Sequence, residues 1–156
     1  MISVREIYDE IDWPVIVLLG AMIPVGRALE STGTTTLLAS GIMGWAGEFP
    51  PALLVTMILV ITMFLSDIIN NAATALVMAP IGVAIANTLG VNADAFLMAV
   101  AVGASCAFLT PIGHQSNTLV MGPGGYQFGD YWRMGLPLEI LIVAMAVPLL
   151  LVVWPL

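Results

Sequence analysis

Two stretches of this chain, Ile68–Ala93 and Ala95–Gly129, run without a single Asp, Glu, Lys or Arg. Nothing else limits the possible folds so strongly. A domain dissolved in water keeps about a quarter of its residues charged; here 8% of 156 residues are charged and 60% are hydrophobic. With a mean hydropathy of +1.07, the chain belongs in lipid, where one helical crossing takes roughly 20 apolar residues. The expected fold class is all-α: a polytopic integral membrane protein with roughly four to six membrane elements, placed in the plasma or inner membrane.

Charge also limits the partners. The chain has no lysine and three arginines, Arg5, Arg27 and Arg133, so it has no basic face for nucleic acid. The formal charge of −7 lies mostly in loops and termini, where a solvated surface explains it. Cys106 stands alone, which excludes an internal disulfide or a thiolate metal site and leaves it as a small buried hydrophobe. The segment Met1–Trp13 carries Glu6, Asp9, Glu10 and Asp12 and lacks the basic start and cleavage site of a signal peptide. Insertion is expected to depend on the chain's own helices.

Along the chain, Ser3 and Glu6 fit a capping box, with Val4, Ile7 and Ile11 on one face, so residues 1–12 are expected to form an interfacial helix. The membrane repeat then occupies 13–156. A first helix is expected over 13–30, bent near Pro24 and Gly26. The segment 34–47 is rich in Thr, Gly and Ala and reads as an interfacial arm. Two apolar arms follow within 50–89, separated by the polar tip 66–71, Ser66-Asp67-Ile68-Ile69-Asn70-Asn71. At ~1.5 Å rise per residue each arm nearly crosses a bilayer, so both a full helical pair and a re-entrant hairpin fit.

Within 94–122 a helix carries Ala95, Ala99, Gly103 and Ala107 at every fourth position, a face on which neighbouring backbones can approach closely. It is expected to end at Thr110-Pro111, because Pro111 lacks an amide hydrogen and disfavours helix at the residue before it. The polar loop 110–118 follows, with His114, Gln115, Ser116, Asn117 and Thr118, and then a turn at Gly122–Gly125. The last helix is expected over 134–154, with Trp132 and Trp154 at the two interfaces. Polar breaks at membrane depth are tolerated only against protein or a water-filled cavity. Secondary transporters use such broken helices to hold anions on exposed amides and sodium on free carbonyls.

The segments Ser66–Ala75 and Thr110–Thr118, followed by Met121-Gly122-Pro123-Gly124-Gly125-Tyr126, resemble the C-terminal half of the divalent-anion:sodium symporter family, a member of the ion transporter superfamily with a citrate-transporter-like domain. The resemblance spans about Trp13 to Pro155. It implies one of two inverted repeats, with a hairpin and a discontinuous helix, and a secondary carrier of a dicarboxylate, a tricarboxylate or sulfate. By position it implies that Ser66, the backbone of Ile69, Asn71 and the carbonyl of Gly113 hold sodium, and that Asn70, Asn71, His114, Gln115 and Asn117 face substrate. The family's Ser-Asn-Thr tip motif falls on Asn70-Asn71-Ala72, so Asn replaces Ser and Ala replaces Thr, and the resemblance does not fix which anion is carried. The literal Ser116-Asn117-Thr118 lies in the loop instead.

The residues also admit plainer roles. Asn70 and Asn71 can cap the second arm, His114 can be a neutral ring satisfied by loop carbonyls, and Asp67 is either a cation or proton site used for coupling or a solvent-facing tip residue. An enzyme is not expected: the chain has neither His-Glu-x-x-His nor Gly-x-Gly-Asp, and Ser105 and Ser116 have no evident base. Counting arginines puts Arg5 and Arg133 on the cytoplasmic side and the C-terminus outside. The expected function is that of a permease: alternating-access symport of a small divalent anion, with sodium as coupling ion and no other cofactor. The expected partners are the bilayer, a second transporter half and further copies in a homo-oligomer. Proton-coupled or cation-exchanging carriers and a non-transporting structural subunit are the competing readings.

Overall fold

A computed structural model describes residues 13–46 and 48–156 of the chain. The interfacial helix expected over 1–12 lies outside the described residues. Within them the chain is helical, with no strand: α1 Trp13–Ser31, α2 Thr34–Ala46, α3 Pro51–Ile68, α4 Asn71–Leu89, α5 Ala93–Ser105, α6 Gln115–Gly124 and α7 Phe128–Val153. Helices α3, α4 and α7 are long and apolar enough to cross a membrane. Together with the lack of charge, this makes the protein an all-α integral membrane protein.

The core forms where α5 packs against both α3 and α4, with α1 and α2 leaning on α4 and α7 on α3 and α5. Small residues make this possible. Ala95, Ala99 and Gly103 are buried along one face of α5, and a Cβ built on Gly103 would stand 2.7 Å from the Leu59 carbonyl oxygen and 2.9 Å from Thr62 Cβ. Only the missing side chain lets the backbones of α3 and α5 meet at this distance. Phe96, Leu54, Ile58, Leu59, Met63 and Ile85 fill the remaining space and are inaccessible.

Several helix boundaries differ from those the sequence predicts. The break between α3 and α4 is only Ile69-Asn70, because α3 runs through Ser66 and Asp67 to Ile68; these two polar residues are buried on its inner side rather than displayed in a tip loop over 66–71. Helix α5 stops at Ser105, well before Thr110-Pro111, and the irregular segment is 106–114 instead of 110–118. Gln115 to Thr118 therefore form the first turn of α6. The cause is tertiary: the amides of Phe108, Leu109 and Thr110, which a continuing helix would pair with its own carbonyls, go to side chains of α3 and α7. Helix α6 then runs to Gly124 and closes on Gly125 at φ 65. Helix α7 begins at Phe128 rather than residue 134, with Asp130 Oδ2 accepting from the Gln127 amide at 2.9 Å.

Candidate ion and anion site at the hairpin tip and the helix break

Four helix ends meet at one place. The C-terminal ends of α3 and α5 bring carbonyls and the N-terminal ends of α4 and α6 bring amides, so negative and positive dipole ends face each other across a few residues. Ser66 Oγ links three of them: it donates to the Ala104 carbonyl at 2.8 Å and to Asn71 Oδ1 at 3.3 Å. Asn70 is the N-cap of α4, its Oδ1 accepting from the Ala73 amide at 2.9 Å. This leaves Asn71, one residue on, half-buried beside Ser66.

Asp67 ties the tip to the broken helix. Its Oδ1 accepts from the amides of Leu109 at 3.0 Å and Thr110 at 3.3 Å, and its main-chain carbonyl accepts from Thr110 Oγ1 at 2.7 Å. Thr110 Oγ1 in turn accepts from the Gly113 amide at 3.1 Å. The backbone at Gly113 lies so close that a Cβ there would come 2.7 Å from Ala107 Cβ and 3.0 Å from Asp67 Oδ1. Ser66, Asp67, Asn71 and Gly113 thus form one compact group. Ile69 is the turn residue, its amide still bonded to the Leu65 carbonyl at 3.0 Å and its side chain exposed.

The loop residues are tied to the backbone. His114 caps α6, with Nδ1 accepting from the Ser116 amide at 3.2 Å, and Gln115 is the first residue of that helix. Asn117 Nδ2 donates to the carbonyls of Ala107 at 3.0 Å and Thr110 at 3.1 Å, while its own carbonyl accepts from Tyr131 Oη at 2.7 Å. Thr118 Oγ1 donates to the Pro111 carbonyl at 2.6 Å. Asn70, His114 and Asn117 therefore each use a polar atom to hold the shape of the break, and their remaining polar atoms are what they can offer a ligand.

A second carboxyl reaches the same run of amides as Asp67. Glu139 of α7 is buried and its Oε1 accepts from the Phe108 amide at 3.1 Å. One turn earlier, Gly135 lets α7 approach: a Cβ there would stand 2.6 Å from the Phe108 carbonyl carbon and 3.0 Å from the Leu109 nitrogen. The available signal was an ionisable residue inside an apolar membrane helix, which by default marks a buried polar contact.

The sequence profile of the citrate transporter family matches residues 1–156. The chain belongs to that family. It is 38% identical over 154 residues to the uncharacterized transporter YfbS of Escherichia coli, covering 99% of this chain and 25% of that protein. An uncharacterized transporter of Synechocystis sp. is 43% identical over 145 residues, covering 93% of this chain and 24% of its own length. The sodium/sulfate cotransporter 2 of Chlamydomonas reinhardtii is 29% identical over 136 residues, 86% of this chain and 15% of that protein. The chain spans about a quarter of the length of the first two relatives. Membership in the citrate transporter family and the sodium/sulfate relatives fit the divalent-anion:sodium symporter resemblance.

Proposed function

We propose that this chain supplies half of the substrate pathway of a secondary carrier that moves a small divalent anion with sodium by alternating access. The observation that carries this reading is the meeting of four helix ends around Ser66, Asn71 and Gly113. The carbonyl ends of α3 and α5, with Ser66 Oγ and Asn71 Oδ1, suit a sodium ion together with the carbonyls of Ile69 and Gly113. The amide ends of α4 and α6, beside Asn70, His114, Gln115 and Asn117, suit an oxyanion. In this reading α3 and α4 form a re-entrant hairpin, a second, inverted half completes the site, and the assembled carrier forms homo-oligomers. The sulfate transport named for the Chlamydomonas reinhardtii relative makes sulfate the first anion to try, with succinate and citrate as competitors.

Reconstituted in liposomes with the rest of its transport unit, the protein should take up labelled sulfate or succinate when sodium is higher outside. Asn71→Ala removes one proposed sodium ligand and one of the two acceptors of Ser66 Oγ, so uptake at limiting sodium should fall about tenfold or more while saturating sodium recovers part of it. Unchanged uptake and unchanged sodium dependence in this variant would reject the site.

A further inference from the structure

A cavity of about 590 Å³ opens beside α7, lined by Phe108, Tyr126, Tyr131, Met134 and Leu138, with Asp130 its one charged side chain. None of Ser66, Asn71 or Gly113 lines it. Asn117 does, but its side-chain amide is turned to the Ala107 and Thr110 carbonyls and its main-chain carbonyl is taken by Tyr131 Oη. A cavity whose only charge is a carboxylate is unsuited to the anion of the carrier reading and suits a cation instead. The rings of Tyr126 and Tyr131 meet edge to face, with centroids 6.2 Å apart and planes at 67°, and aromatic faces attract an ammonium group. Asp130 Oδ2 accepts from the Gln127 amide at 2.9 Å, and Oδ1 has no donor among the described residues.

The surroundings of the cavity say which cation. Helix α7, with 26 residues, is about as long as a bilayer with its headgroups is thick, which puts its first turns, with Asp130, Trp132 and Arg133, at headgroup level. Arg133 follows Asp130 by three residues and is its neighbour on the helix surface. It is exposed, outside the cavity lining, with its guanidinium 6.0 Å from the Trp132 ring centroid. An acid and a base thus stand one turn apart at the membrane surface. From the cavity, Met134 and Leu138 continue into Leu141 and Met145, all four exposed and on one face of α7, so an apolar stripe runs from the acid into the hydrocarbon. We infer that this cavity is a binding site for a phospholipid with a primary ammonium headgroup, of the phosphatidylethanolamine type. The ammonium enters beside Tyr126 and Tyr131 and donates to Asp130 Oδ1, the phosphate faces Arg133, and an acyl chain follows the stripe. Because Tyr131 also holds the Asn117 carbonyl, an occupied site braces α6 against α7. The inference does not depend on which ion or anion is carried.

The test titrates the detergent-solubilised full chain with phosphatidylethanolamine or phosphatidylglycerol of identical acyl chains and counts bound lipid by native mass spectrometry. Wild type should bind the ammonium lipid about tenfold more tightly, through the charge-assisted bond and the aromatic contacts. Asp130→Asn keeps an oxygen for the Gln127 amide but removes the charge, and should bring the two lipids close to equal affinity. Arg133→Gln should weaken both lipids alike and retain the preference, since both carry the phosphate. Tyr126→Leu keeps an apolar wall without the ring and should lower affinity for phosphatidylethanolamine while leaving phosphatidylglycerol unchanged. Each readout is a ratio of two lipids on the same protein, so a general loosening of the fold does not imitate it. Equal affinity of the wild type for the two lipids overturns the inference, whatever the variants do, and so does a preference that survives Asp130→Asn.

Discussion

At the residue scale the site depends on backbone groups that no longer bond within their own helix. Gly135 shows how little space is allowed. Its Cα hydrogen faces the Phe108 carbonyl, and one methyl group there would overlap it. Gly135→Ala should push α7 outward, lengthen the Phe108 to Glu139 bond and cost about 1–3 kcal/mol. Gly129→Ala, with nothing within 4 Å of a Cβ, should stay within about 0.5 kcal/mol of wild type. Thermal unfolding of the two variants side by side checks the contrast. Asn117→Ala leaves the Ala107 and Thr110 carbonyls without their donor and should destabilise by about 1–3 kcal/mol; Asn117→Asp, which sets a carboxylate against two carbonyl oxygens, should be worse.

At the element scale the determining event is how α5 ends. Composition made its packing face legible, since Ala95, Ala99 and Gly103 recur at the spacing of a membrane-helix interface and are buried in the fold. The sequence did not show where the helix stops. Pro111 marks a boundary that local rules place at Thr110, whereas the chain opens at Cys106 because Asp67 and Glu139, 42 and 31 residues away along the chain from the amides they bind, take those amides. Hydrogen bonds to a carboxylate are roughly twice as strong as neutral ones, so Asp67, which takes two amides, outcompetes the last turn of a helix. Ser66 reinforces this by occupying the Ala104 carbonyl. Gly103→Val should separate α5 from α3, where even a Cβ stands 2.7 Å from the Leu59 carbonyl oxygen, and the overpacking should cost about 1–3 kcal/mol. Because it also loosens Ser66 from Ala104, this variant should weaken the response to sodium in the uptake assay more than Gly135→Ala does.

At the scale of the whole molecule, α3 and α4 are an antiparallel pair joined by two residues, so their outer ends must lie at the same membrane face. In a Cys106→Ala background, single cysteines at Phe49 and Val91 should be labelled by an impermeant reagent from the same side of intact cells. Helix α7, 26 residues long, spans roughly 39 Å at 1.5 Å per residue, about the thickness of a bilayer with its headgroups. Arg133 sits near its start, and the orientation we propose, from positive-inside counting, has that end in the cytoplasm. A cysteine at Leu156 should therefore react from outside and one at Trp132 only after permeabilisation; the reverse pattern would invert the orientation.

The sequence alone determined that this chain is a helical membrane protein, that it is broken twice by polar residues, and which polar residues cluster at the breaks. Charge density, apolar run length and small-residue spacing are local properties that a lipid environment reads directly. Only the tertiary structure decided that Asn70, His114 and Asn117 hold the backbone of the breaks, that Ser66 and Asp67 are buried within a helix, and that Glu139 joins Asp67. Those outcomes depend on which distant side chain reaches an amide first, and that contest is settled by close approach at Gly103, Gly113 and Gly135, where backbones meet that are far apart in the chain.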